Sequence, residues 1–370
     1  MTAIDPVAFA DLLTGYCLDV QPGQQISVRS STEAAPLLLE LQRAILERDA
    51  WPILRVDLPG QTRAFYDHAL ERHLDEISSL ALAEAKGIDA TLGITATADV
   101  RELVGVDPAK MTRLARARRP LREEMMKKRW CSTLWPTAAL AGQAGMPLDE
   151  YEAFVSRALF LDQPDPVTSW GGLRAFQAKL IQRLESARDV RIEADGTDLT
   201  LRVAGRTWVN SDGRRNMPSG EVFTGPHEQS AHGRIRFTVR SAPEGVDVDG
   251  VELEFREGQV VSARADTGEE YLRRALETDG GARFLGELGI GTNFGIDRPT
   301  GTILFDEKIG GTVHLALGRS YPETGGTNVS ALHWDLVCDL RAEGEVYADG
   351  ELVWRNGRFL EQPAPAVERV

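Results

Sequence analysis

Four short segments in the C-terminal half concentrate side chains able to hold a cation. They are NMPSGEVFTGP with Glu221, GELGIGTNFGI with Glu287, FDEKIGGTVHLALGRSYP with His314 and Tyr321, and ALHWDLVCD with His333 and Asp335. A carboxylate in apolar surroundings is costly unless it is paired, and a bound metal ion would offset that cost. Read as a strand, Leu332 to Leu340 sends His333, Asp335 and Val337 to one face and Trp334, Leu336 and Cys338 to the other. The same two-residue period sets His314 beside Ala316 and Gly318, which leave room for an ion and a substrate, while Val313, Leu315 and Leu317 turn toward a core. A single histidine or glutamate on a strand is more often solvated or hydrogen bonded than ligating. Four such segments within one half of the chain point instead to a metal site, and its oxygen and imidazole donors, without thiolate, suit zinc, cobalt or manganese.

Other patterns carry less. HALERH, with His68, Glu71 and His73, places its histidines five residues apart, about 140° around a helix, too far to share an ion. HEQSAH, with His227, Glu228 and His232, is one residue too long for the zinc helix motif and falls where strands are expected. GIGTNFG, with Gly289, Gly291 and Gly295, has the wrong spacing and the wrong neighbours for a dinucleotide loop. The chain contains neither GxxxxGK[ST] nor GxSxG.

These side chains need elements to position them. Gln25 to Ser30 reads as a strand, Ala34 to Arg48 as a helix and Trp51 to Asp57 as a second strand, which together make a βαβ unit. Arg63 to Leu82 reads as helical, Ala90 to Thr97 as a strand, Pro108 to Arg118 as helical, and helical signals dominate from Leu148 to Ala187. After Val190 the texture changes to alternating apolar and polar residues around glycine turns. The expected architecture is therefore α/β plus α+β: an N-terminal α/β domain with a mainly parallel sheet, residues 1–189, and a β-rich C-terminal domain, residues 190–370, that carries the metal site and is covered by the first.

A chain of 370 residues exceeds the usual size of one hydrophobic core, which supports two domains. The formal charge of -14 disfavours nucleic acid and anionic membranes and favours cations. Cys17, Cys131 and Cys338 are odd in number and far apart, as expected of reduced thiols in the cytoplasm. The N-terminal MTAIDPVAFADLL lacks the basic and apolar regions of an export signal, and no stretch approaches the roughly 18 apolar residues of a membrane span.

In order and approximate spacing, the four segments resemble the signature regions of the aminopeptidase T and aminopeptidase S family of metalloaminopeptidases, and the resemblance covers most of the chain. It implies two divalent ions ligated by Glu221, Glu287, His314, His333 and Asp335, with Tyr321 close to them and Glu307 as a looser match among the ligands. It also implies peptide substrates with a free N-terminus and a homodimer enclosing the site. The connection from Tyr321 to His333 is shorter than is usual in that family.

In such a site a carboxylate like Glu287 bridges the two ions, a shared water becomes a hydroxide that attacks the scissile carbonyl, and Tyr321 donates to the oxyanion. Glu221, Glu287 and Glu307 are all candidates for the general base. Two histidines and one aspartate, His314, His333 and Asp335, are also the ligand set of a mononuclear iron(II) oxygenase, and ring-cleaving dihydroxypyridine dioxygenases are related to this family. Glu221 and Glu287 favour the peptidase, because a second ion needs them.

Overall fold

Gln25–Ser31 and Trp51–Asp57 pair in parallel along their whole length, joined through the helix Ala35–Glu47, whose Leu37, Leu38, Leu41, Ala44 and Ile45 are buried. Ala90–Thr95, Arg129–Leu134 and Asn216–Met217 extend the same sheet, every pair parallel. This is the expected α/β arrangement. The computed structural model describes residues 4–365, and its contacts divide the chain into two compact units. One runs up to Val167 and takes in Gly213–Pro218; the other is Thr168–Asp212 with the residues from Ser219 onward. The division falls before the helix Pro166–Leu184 is complete, not at residue 189, because Leu180 and Leu184 of that helix are buried in the core of the second unit.

One expected helix is broken. Residues 63–82 form three short pieces, Gln61–His68, Glu71–Asp75 and Ser79–Gly87. Ala69 and Leu70 are extended, Leu70 donates its N–H to His73 Nδ1 at 3.0 Å, and the breaks let Tyr66 and Leu74 turn inward onto Leu114. The helical stretch from Leu148 holds two helices, Leu148–Ala158 and Pro166–Leu184, with Phe160 between them at φ 57°.

The second unit holds two antiparallel sheets. Eight strands run in the spatial order Gln259–Arg264, Glu252–Arg256, His232–Arg236, Thr197–Arg202, Asp189–Ala194, Gly344–Ala348, Glu351–Arg355 and Arg358–Pro365. Five run in the order His333–Asp339, Thr312–Gly318, Leu285–Gly291, Glu221–Thr224 and Val209–Ser211. The sheets share one core, in which Ile192, Leu199 and Phe255 of the larger meet Leu288, Val313, Leu315 and Leu336 of the smaller. Each such side chain withdrawn from water contributes roughly 1.5–3 kcal/mol, so the alternation in these strands is strongly enforced. Its consequence is that the opposite face of the smaller sheet collects the polar residues. No helix among the described residues is long and apolar enough to cross a membrane.

Candidate metal centre

Strand register brings the polar residues together. Glu287 and Asp335 both lie opposite Ala316, on either side of it, and His333 lies opposite Gly318. Gly289 faces His314, and Gly291 faces Glu221. Neighbouring strands are only about 4.8 Å apart, so side chains of these rows meet wherever the intervening residue is small. Gly289 is the clearest case: a Cβ there would lie 2.1 Å from both Cε1 and Nε2 of His314, so the imidazole occupies the space the glycine leaves.

Two groups of donor atoms result, Glu221 with Glu287 and His314, and Glu287 with His333 and Asp335. His314 Nε2 lies 3.3 Å from Glu221 Oε2 and 3.5 Å from Glu287 Oε1. His333 Nε2 lies 3.6 Å from Glu287 Oε2 and 3.4 Å from Asp335 Oδ2. Glu287 therefore belongs to both groups, one oxygen toward each histidine. His333 Nδ1 sits 2.8 Å from the Arg319 carbonyl and donates to it, so Nε2 is the ring nitrogen turned toward the carboxylates and the one a metal would take.

The cluster fits a cation. Glu221 Oε2 is buried with no hydrogen-bond partner, and Glu221 and Glu287 are each only 4% exposed. Buried carboxylates that converge in this way demand positive charge. Burial pushes the Glu287 carboxyl up to about 6 against the pull of His314. Burial opposes the charge on His314, but Glu287 and Glu221 outweigh it and push the imidazole up to about 10. Without an ion, a proton neutralises part of the cluster.

Five of the six expected ligands thus converge, and Glu307 stands outside both groups. Its carboxylate contacts Lys308 Nζ, and burial, opposed by Lys308, pushes its carboxyl up to about 8. The Tyr321 ring packs against His333 at 5.0 Å between centroids and against Phe223 at 5.7 Å. Burial first, then the surrounding carboxylates, raise its phenol, which stays protonated.

Several supporting residues lie outside the expected ligand set. Lys308 follows Glu307 directly and is fully buried, 3.6 Å from Glu221 Oε1; a lysine inside an acid-rich, glycine-flanked segment was the available signal. Gln177, from the helix Pro166–Leu184, donates to the carbonyls of Glu221 and Ser211. Asn293, within GIGTNFG, donates to the Ser219 carbonyl at 2.9 Å, and Thr292 N–H reaches the Gly220 carbonyl, so that segment clamps the backbone leading into Glu221. Glu228 of HEQSAH accepts from Arg206 and from Thr327 N and Oγ1, pinning the short connection between Tyr321 and His333. His227 bonds the Ala204 carbonyl, His232 is exposed, and His68 and His73 lie on separate short helices.

The family model described as thermophilic metalloprotease (M29) matches residues 7–359. Aminopeptidase 2 of Geobacillus stearothermophilus is 30% identical, across 95% of this chain and 96% of its own. Wild-type AmpT from Thermus thermophilus aligns with a TM-score of 0.83 at 26% identity, covering 96% of this chain and 99% of that one. A 2,5-dihydroxypyridine dioxygenase from Pseudomonas putida KT2440 shares the fold, with a TM-score of 0.58 at 15% identity over 96% and 98% of the two chains.

Proposed function

The chain belongs to the M29 metalloproteases, the family of aminopeptidase T, and is a metal-dependent aminopeptidase; we propose that it works through two divalent ions held by Glu221, Glu287, His314, His333 and Asp335. The observation that carries the two-ion reading is Glu287, whose two oxygens face different histidines and join the two donor groups. When bound, such a pair supplies Lewis-acid polarisation of the scissile carbonyl and acidification of the attacking water. Glu307, outside the donor groups and with a carboxyl raised to about 8, takes and returns the proton near neutral pH. Tyr321, held against His333 and kept protonated, donates to the developing oxyanion, a contact worth roughly 2.7–4 kcal/mol when removed. The substrate α-amine meets a carboxylate of the cluster, which restricts cleavage to the first residue of a peptide. Zinc, cobalt and manganese all suit these donors.

The test is metal analysis combined with turnover of aminoacyl-anilides and of a dihydroxypyridine. Two ions per chain with anilide hydrolysis is the expected result, whereas one iron with ring cleavage would overturn it. The same reading makes the enzyme a cytoplasmic homodimer, and sedimentation as a monomer at micromolar concentration would overturn that assembly.

A pH dependence follows from His314. With its pKa at about 10 in the metal-free protein, the imidazole is protonated at neutral pH and an ion must displace that proton. Apparent affinity should therefore rise with pH, about tenfold per unit for each proton displaced, until it levels off near pH 10. Below about 6, protonation of Glu287 adds to the loss. Adding metal to the metal-free protein in weak buffer at pH 7 should acidify the solution, and binding without proton release would contradict this.

A further inference from the structure

Lys308 is a lysine with no exposed surface, placed among carboxylates. Its backbone is fixed from both sides: its N–H donates to the Phe305 carbonyl at 2.9 Å, and its own carbonyl accepts from Asn293 N–H at 3.0 Å. Two residues earlier, the Asp306 carboxylate accepts from Thr300 N and Oγ1 and from Gly301 N, which locks the turn entering this segment. The ammonium therefore has little freedom. It contacts Glu307 Oε1 and lies 3.6 Å from Glu221 Oε1, while the other oxygen of Glu221 faces His314 Nε2 at 3.3 Å. Burying an ammonium is expensive unless the geometry uses its charge, and a packing role alone would be filled as well by methionine.

We propose that Lys308 is a positioning residue that sets the coordination of the neighbouring metal centre: it holds Glu307 out of the ligand set and occupies one oxygen of Glu221, so that Glu221 offers a single oxygen to an ion and Glu307 stays available for proton transfer. The inference rests on the two-ion reading above. Its physical basis is competition for lone pairs. An ammonium and a metal ion seek the same carboxylate oxygens, and the ammonium, built into the chain at a fixed place, is always present. Remove it, and two carboxylate oxygens are released beside a cation that takes more oxygen ligands when they are offered.

Cobalt(II) reports this directly, because its visible absorption weakens as its coordination number rises, and the spectrum is independent of turnover. Glu307→Gln should keep two cobalt ions per chain and the wild-type spectrum while kcat falls by about 100-fold or more, the loss expected for a proton-transfer group, with KM little changed. Lys308→Met should keep both ions but weaken the visible absorption and lower kcat by a similar factor, and Lys308→Arg should restore part of both. Loss of an ion or an altered spectrum in Glu307→Gln would make Glu307 a ligand and overturn the proposal, whether or not Lys308→Met folds. A wild-type spectrum in folded Lys308→Met would reduce Lys308 to packing and overturn it equally. If the wild-type protein itself takes up fewer than two cobalt ions, the two-ion reading is what fails, and the proposal falls with it.

Discussion

A Glu287→Gln variant is expected to lose metal and peptide hydrolysis together, with kcat/KM falling by about 1,000-fold or more. Glutamine keeps the size of the side chain, so packing on the strand Leu285–Gly291 is preserved and the charge alone is changed. Glu287 is 4% exposed and offers Oε1 toward His314 and Oε2 toward His333, so one substitution weakens both donor groups at once. Metal catalysis supplies several kcal/mol of transition-state stabilisation, and each 1.36 kcal/mol is tenfold in rate, which gives the size of the expected loss. Measuring metal stoichiometry and turnover on the same preparation decides the matter. A surface acid would be nearly silent, within about 0.5 kcal/mol of stability, and unchanged values of both quantities would remove Glu287 from the site. A variant that keeps both ions yet loses activity would instead make Glu287 the base and pass the bridge to Asp335.

The smallest substitution with a comparable effect is Gly289→Ala. The added methyl would stand 2.1 Å from two atoms of the His314 ring, and neither strand can move aside, because Leu288 and Leu315 hold them in a shared core. His314 must leave its place toward Glu221 and Glu287. Overpacking of this kind costs typically 1–3 kcal/mol of stability. The functional loss should be larger than the stability loss, with at least one ion missing and kcat/KM down by about 100-fold or more. Gly172→Ala is the control: it lies inside the helix Pro166–Leu184 with nothing within 4 Å of its added Cβ, and it should leave activity unchanged while helix propensity adds up to about 1 kcal/mol. A Gly289→Ala protein with wild-type metal content and turnover would show that the His314 ring lies elsewhere.

What could be read directly from the sequence was local and periodic. HWDLVCD and TVHLALG show, by alternation alone, which residues share a face, and the structure has Trp334, Leu336, Val313 and Leu315 in the core with His333, Asp335 and His314 opposite. The βαβ unit from Gln25 to Asp57 was equally plain, because a burst of β-branched residues, a helical period and a second strand follow one another without interruption. Helix continuity was less legible. Residues 63–82 have helical composition throughout, yet the chain breaks at Ala69 and Leu70, where burying Tyr66 and Leu74 against Leu114 outweighs local propensity.

Pairing across the site was beyond the sequence altogether. That Gly289 lies opposite His314, and that Ala316 stands between Glu287 and Asp335, depends on strand register fixed by a core distributed over two sheets. No local spacing encodes it. The same holds for Lys308, which in FDEKIGG looks like any charged residue beside two acids. Its burial against Glu221, 87 positions earlier in the chain, exists only once the tertiary fold has removed water from both groups and left the charges to each other. Alternation along each strand was therefore enough to determine which residue types face the site, whereas the division of labour among them, ligand, bridge or fixed counter-charge, was decided by long-range packing and the desolvation it imposes.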